Sequence, residues 1–228
     1  MYNSAMRIVR VLSKYSAVVN ALLISSTSAL LLLLARTVAT GNTRFSFMAW
    51  NLVLSLLALL ASVAFVYAWH GHHTWLKMAT FVAWLFLLPN TFYMLTDFVH
   101  VQDSGDINML FDIVLIGLFA MNGFLHGLIS LLLVQKSLLT KLSRRAGAIS
   151  ITSILIASSF AVDMGRYLRW NSWDILLNPN ALLFDISNTL LNPNNYHRSF
   201  LITGIFFITS GSLYLVLWEL SKLQWSKK

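Results

Sequence analysis

Six stretches of about twenty predominantly apolar residues divide this chain, and no other feature constrains its fold as tightly. A run of that length crosses the hydrocarbon core of a bilayer as one α-helix. Lipid offers no hydrogen bonds, so every backbone amide there must be satisfied within the protein, and only helices and closed barrels span it. Barrel strands would show as short alternating segments, whereas these runs are continuous. The expected fold is therefore all-α: a polytopic transmembrane helical bundle of about six spans, with residues 1–228 forming a single transmembrane domain.

The spans are expected at about 16–35, 47–69, 77–100, 109–134, 148–164 and 199–220. Arg7, Arg10 and Lys14 precede the first. A cleaved signal peptide shares that basic start, but the run continuing through Ala35 is too long for its apolar region, so the segment is read as a span. The third span is expected to kink, or to break and restart, at Pro89-Asn90, because proline removes a backbone donor and disfavours helix just before it. The longest non-spanning segment runs from Asp163 to Arg198 and carries two turn signals, Asn178-Pro179 and Asn192-Pro193. Within it, Ala181 to Leu191 reads as a short interfacial helix. There is no internal repeat and no low-complexity linker.

At 57% hydrophobic and 11% charged residues, the chain has no stretch left for a soluble domain. The absence of cysteine excludes disulfides, thiol nucleophiles and cysteine-ligated metals. A net charge of +8 raises nucleic acid as a partner, but no basic stretch is interleaved with stacking aromatics on a soluble module. Membrane lipids are the expected partners instead, with a homo-oligomer or a membrane partner protein also open. Six spans put both termini on one side. That side holds Arg7, Arg10, Lys14, Lys77, Lys136, Lys141, Arg144, Arg145, Lys222, Lys227 and Lys228, against Arg36, Arg44, Arg166, Arg169 and Arg198 on the other. The positive-inside bias then predicts a multi-pass cell-membrane protein with both termini cytoplasmic. Asp97, Asp103, Asp106, Asp163, Asp174 and Asp185 fall on or near the outer face.

Candidate functional side chains gather toward that outer side. Asn90, Tyr93, Asp97 and His100 recur at intervals of three, four and three, a single stripe if the segment after Pro89 is helical. Along the fourth span, Asp112, Asn122, His126 and Ser130 share one side with Gly123 and Gly127. Their cost in lipid predicts that they face the bundle interior, and the glycines allow a neighbouring helix to approach closely. A third cluster runs from Asp163 to Asp174 and contains Arg166, Arg169, Trp170, Asn171 and Trp173. Asp163 and Arg166 are spaced for a local ion pair, while the tryptophans beside arginines also fit an interfacial aromatic belt.

The stretch Leu88-Pro89-Asn90-Thr91-Phe92-Tyr93-Met94-Leu95-Thr96-Asp97-Phe98-Val99-His100 resembles a signature of an uncharacterised bacterial integral membrane family, catalogued as domain of unknown function 1361. Gly165-Arg166-Tyr167-Leu168-Arg169-Trp170-Asn171-Ser172-Trp173-Asp174, followed by Asn178-Pro179, resembles its second signature. Asp112 resembles the acidic residue that opens the family's middle block, and the likeness runs roughly from Phe45 to Leu220. The resemblance implies a polytopic membrane protein and carries over no activity, cofactor or catalytic residue.

Asp97, His100, Asp112 and Asp163 are the candidate catalytic groups, with the short loop from Val101 to Asn108 bringing the first three together. A carboxylate and an imidazole at that spacing could act as an acid–base pair or, more weakly, ligate a metal. The alternative is structural: Asp97 pairs with Arg166 or Arg169. The histidines His70, His72 and His73 read as a solvated loop. Nucleophile elbows, phosphate loops and zincin helices are absent, and Glu219 is the only glutamate. The expected function is binding of a lipid or envelope component, or support of membrane assembly, through an outer pocket of Asn90, Tyr93, Asp97, Arg166, Arg169, Trp170, Asn171, Trp173 and Asp174. The alternatives are a membrane-embedded enzyme using Asp97 and His100 with the arginines, and a small transporter or channel with a polar path along the fourth span.

Overall fold

The computed structural model describes residues 16–101 and 108–223. Arg7, Arg10, Lys14, Asp103, Asp106, Lys227 and Lys228 lie outside the described residues, as does most of the loop from Val101 to Asn108. The described chain is helical, with no strand. Helix α1 spans Ser16–Thr40, α2 Phe47–Trp69 and α3 Thr74–Tyr93, which continues as a 3-10 helix over Met94–His100. Then come α4 at Met109–Leu138, α5 at Arg144–Tyr167, the short α6 at Asp174–Leu177, α7 at Pro179–Leu191 and α8 at His197–Leu220. Six helical segments are long and apolar enough to cross a membrane: α1, α2, α3 with its 3-10 extension, α4, α5 and α8. The chain is thus an all-helical, multi-pass membrane protein.

Short connections make successive spans antiparallel, so one end of the bundle gathers the start of α2, the 3-10 helix, the start of α4, the end of α5 and the α6–α7 segment. Several helices outrun the expected spans. α1 continues past Ala35 to Thr40, and α4 continues to Leu138. Apolar composition marks only the hydrocarbon layer, and the helices persist through capped turns beyond it. The Asn108 side chain accepts from the Leu110 amide at 2.8 Å, and Ser143 Oγ from the Ala146 amide at 3.2 Å.

At Pro89, α3 stays α-helical for another turn, to Tyr93, and then tightens. Local side chains bond carbonyls around the proline: Asn90 Nδ2 donates to Leu87 O at 3.1 Å and Thr91 Oγ1 to Leu88 O at 2.7 Å. Seven residues is a long 3-10 run, since its hydrogen bonds are poorly aligned, and such stretches tend to mark functional segments.

The centre of the bundle is α4, which contacts all five other spans. In its most apolar stretch 61% of residues are buried, against 17% in α1 and α8, which lie at the rim. Gly123 and Gly127 let α3 approach it. A Cβ on Gly123 would stand 2.7 Å from the Thr91 carbonyl oxygen, and one on Gly127 would collide with Thr91 Oγ1. One apolar cluster joins Trp84, Leu88 and Phe92 of α3 to Leu128 and Leu131 of α4 and Leu155 of α5. A second packs Met48 and Leu52 of α2 against Leu115, Ile116 and Phe119 of α4.

Candidate functional site

At the gathered end lies a cavity of about 700 Å³, within the size range of small-molecule and cofactor sites. Its wall comes from the first turns of α2, the C-terminal part of α3 with the 3-10 helix, the last turns of α5, and the α6–α7 segment. Most of it is apolar, and polar groups converge on one side.

Arg166, in the last turn of α5, is the hub of that polar side. Its Nη1 donates to Tyr93 Oη at 3.3 Å and its Nη2 to His100 Nε2 at 3.1 Å. A guanidinium only donates, so His100 Nε2 accepts and the ring hydrogen sits on Nδ1. That bond occupies the nitrogen lone pair which a metal ion or a transferred proton would need. His100 is held from two further sides: its carbonyl accepts from Arg44 Nη2 at 2.9 Å, and its ring meets Phe47 edge-on at 5.1 Å.

Asp97 completes the group. It is only 1% exposed, and Asn51 Nδ2, one turn into α2, donates to its Oδ2 at 3.1 Å. Its Oδ1 stands 3.9 Å from Arg166 Nη1 and has no hydrogen-bond partner among the described residues. The guanidinium therefore has two neutral acceptors at bonding distance and a carboxylate just beyond it. Ser158, from α5, also lines the cavity and its hydroxyl is likewise unpartnered. A buried polar atom without a partner costs stability, and two of those in the described residues lie in this cavity wall.

Part of the wall is built by the turn after α5. Arg169 adopts φ 60, a left-handed conformation that few side chains take up, and this reverses the chain over the cavity. Asn90 Nδ2 donates to Ser172 Oγ at 2.9 Å, and Ser172 Oγ donates to the Phe86 carbonyl at 2.9 Å, tying the turn to α3. Trp170 Nε1 donates to Asp185 Oδ2 on α7 at 2.9 Å.

Of the residues expected to form an outer pocket, Asn90, Tyr93, Asp97, Arg166, Trp170, Asn171 and Trp173 line this cavity, together with His100. Arg169 and Asp174 do not. Arg169 shapes the turn, and Asp174 Oδ2 accepts from the Asn171 amide at 2.7 Å, closing it. The other carboxylates are elsewhere. Asp112 is paired with Arg36 of α1, and Asp163 is completely buried in α5 outside the cavity wall, with neither oxygen hydrogen-bonded and no pairing with Arg166 among the described ion pairs. His126 and Asn122 of the fourth span are buried within helix packing: His126 Nδ1 bonds Ser55 Oγ at 2.9 Å, and Ser26 Oγ donates to Asn122 Oδ1 at 3.3 Å. Ser130 accepts from Trp84 Nε1 at 3.0 Å. Among the described residues no three His, Cys, Asp or Glu side chains come together.

Asn51 was missed in the sequence, as was Ser158. Asn51 sits in a largely apolar run and Ser158 is one of several serines in its helix, and only the crossing of α2 with the 3-10 helix brings Asn51 to Asp97.

The family model described as a protein of unknown function (DUF1361) matches residues 50–210, most of the chain, and the chain belongs to that family. The matched stretch includes Asn51, Asp97, Arg166 and α7 and leaves all of α1 outside it. No curated protein and no solved structure matches the chain.

Proposed function

We propose that this DUF1361 family member binds an anionic group, carried by a membrane lipid or another envelope component, in the cavity between α2, α3, α5 and α7. One observation carries this reading: Arg166 sits in an apolar-walled cavity with neutral acceptors at bonding distance and its nearest carboxylate 3.9 Å away. A guanidinium in that state has donors and charge to offer, and its planar fork suits phosphate and carboxylate oxygens. The low-dielectric surroundings strengthen such a contact. The basic residues Lys77, Lys136, Lys141, Arg144, Arg145 and Lys222 sit at the opposite end of the bundle, so the positive-inside bias puts the cavity at the outer face and the termini in the cytoplasm. The test is native mass spectrometry of the protein extracted from membranes. A lipid or envelope component should be retained by the natural protein and lost from Arg166→Gln, which keeps the stem and removes the charge. Equal retention by both would defeat the proposal.

A membrane-embedded enzyme at the same site is the alternative, and it draws on the unpartnered Asp97 Oδ1 beside Arg166. A free carboxylate oxygen near a cation can take a proton from a bound substrate. If Asp97→Asn fully complements a strain lacking the gene, the enzyme is ruled out and the binding site is not. A transport path along α4 has less support, because His126, Asn122 and Ser130 are each fully buried and bonded to neighbouring helices.

A further inference from the structure

Helix α7 carries apolar residues around more than half its circumference. Leu182, Ile186 and Leu190 recur every fourth residue and line the cavity as one stripe. Leu183 beside that stripe and Leu191 and Phe184 on the far side of the helix are 60%, 79% and 68% exposed, with the exposed Ser187 between Leu183 and Leu191. The remaining arc is polar and tied to protein: Asp185 accepts from Trp170 Nε1, and Asn188 Nδ2 donates to Tyr196 Oη at 2.8 Å. A surface helix in water confines its apolar residues to the side that faces the core. Here large apolar residues occur both on the cavity side and on the outside, broken only by small polar groups such as Ser187, as suits a helix lying in a membrane interface.

The rim of the cavity agrees. Trp50, Phe86, Trp173 and Leu190 line it and are themselves 56%, 38%, 43% and 53% exposed, so its edge is made of large apolar side chains contributed by four different parts of the chain. A mouth of that kind wets poorly and adjoins acyl chains comfortably. The polar groups, Arg166 with Tyr93, His100 and Asn51, lie together inside it.

We propose that the cavity opens sideways into the bilayer beneath α7, and that its ligand is a phosphate-bearing lipid taken from the membrane. Its phosphate meets Arg166, and its chain passes along the Leu182, Ile186 and Leu190 stripe and leaves over the apolar rim. This rests on the binding of an anion at Arg166 and adds the chain, the route and the source.

Three water-dispersible probes separate these elements, measured by calorimetry on the full-length protein in nanodiscs: glycerol phosphate, dioctanoyl phosphatidic acid and dioctanoylglycerol. Each methylene moved out of water raises affinity about fourfold, so phosphatidic acid should bind at least about 100-fold more tightly than glycerol phosphate. Ile186→Ser, which shortens the apolar stripe without adding charge and is confirmed folded by an unchanged melting profile, should weaken phosphatidic acid several-fold more than it weakens glycerol phosphate, and an equal effect on both would count against the chain route; Leu182→Ser serves if that variant fails to fold. Equal binding of glycerol phosphate and phosphatidic acid would overturn the lipid route and leave the anion site standing. Binding of neither would overturn the anion site as well. Dioctanoylglycerol binding as tightly as phosphatidic acid would overturn the role of Arg166 in both.

Discussion

Arg36 and Asp112 form a two-pronged ion pair in the bundle interior, with Nε 2.7 Å from Oδ1 and Nη2 3.1 Å from Oδ2. The guanidinium also lies over the Phe45 ring, 4.4 Å from its centroid. Both residues are 1% exposed, and they join a rim helix to the central one. Removing one partner leaves the other charge buried and unmatched, so Arg36→Met or Asp112→Leu alone should cost about 3–5 kcal/mol. The double replacement should recover most of that loss, because an apolar pair suits the same surroundings. Thermal unfolding in detergent reads this, and a double variant no better than the singles would show that the ion pair itself is required.

The α3–α4 crossing depends on glycine at two positions with different obstacles. Gly127→Ala meets the Thr91 side chain, whereas Gly123→Ala meets the Met94 side chain at 2.5 Å and, less able to yield, the Thr91 backbone oxygen at 2.7 Å. Both should destabilise by about 1–3 kcal/mol. Thr91→Ala removes Oγ1 but keeps Cβ, so it should recover part of the loss at position 127 and none of the loss at 123. Melting temperatures of the three single variants and the two combinations check the distinction.

Asp163 is 0% exposed and neither carboxylate oxygen has a hydrogen-bond partner among the described residues. A buried polar group in that state is costly, so Asp163→Leu should raise stability by about 1–3 kcal/mol. Since Asp163 lies outside the cavity wall, ligand retention should be unchanged. A fall in the melting temperature would show that the carboxylate has a partner in the membrane.

Trp170 holds α7 through one indole hydrogen bond to Asp185, at 2.9 Å. Trp170→Phe keeps an aromatic wall and removes the donor. Lipid release should accelerate several-fold, because that contact secures one wall of the cavity, and stability should fall by no more than about 1.5 kcal/mol. Dissociation followed by a fluorescent lipid analogue measures it, and an unchanged rate would locate the restraint in the rest of the turn.

The Asn90, Tyr93, Asp97 and His100 stripe was legible because spacing alone brings residues onto one side of a helical segment. Arg166 was legible for a different reason, as a cation among tryptophans at a span end. Asn51 was not, since a single amide in an apolar helix carries no sign of what it will face. Arg36 had been placed with the outer-side basic residues beyond a span ending at Ala35, but α1 extends to Thr40 and buries it. Local hydropathy marks where lipid begins and is blind to an acidic partner 76 positions away.

The sequence by itself determined the helical class, the six crossings and the end of the bundle at which the polar side chains collect. Those properties follow from segment length and from the cost of bare amides and charges in hydrocarbon, which act residue by residue. Only the tertiary structure decided that Asp112 goes to Arg36, that Asp97 is held by Asn51 with one oxygen left over, and that α7 closes a cavity over Arg166. Pairing depends on which helices cross, and crossing is set by small contacts such as Gly127 against Thr91, summed over the whole bundle.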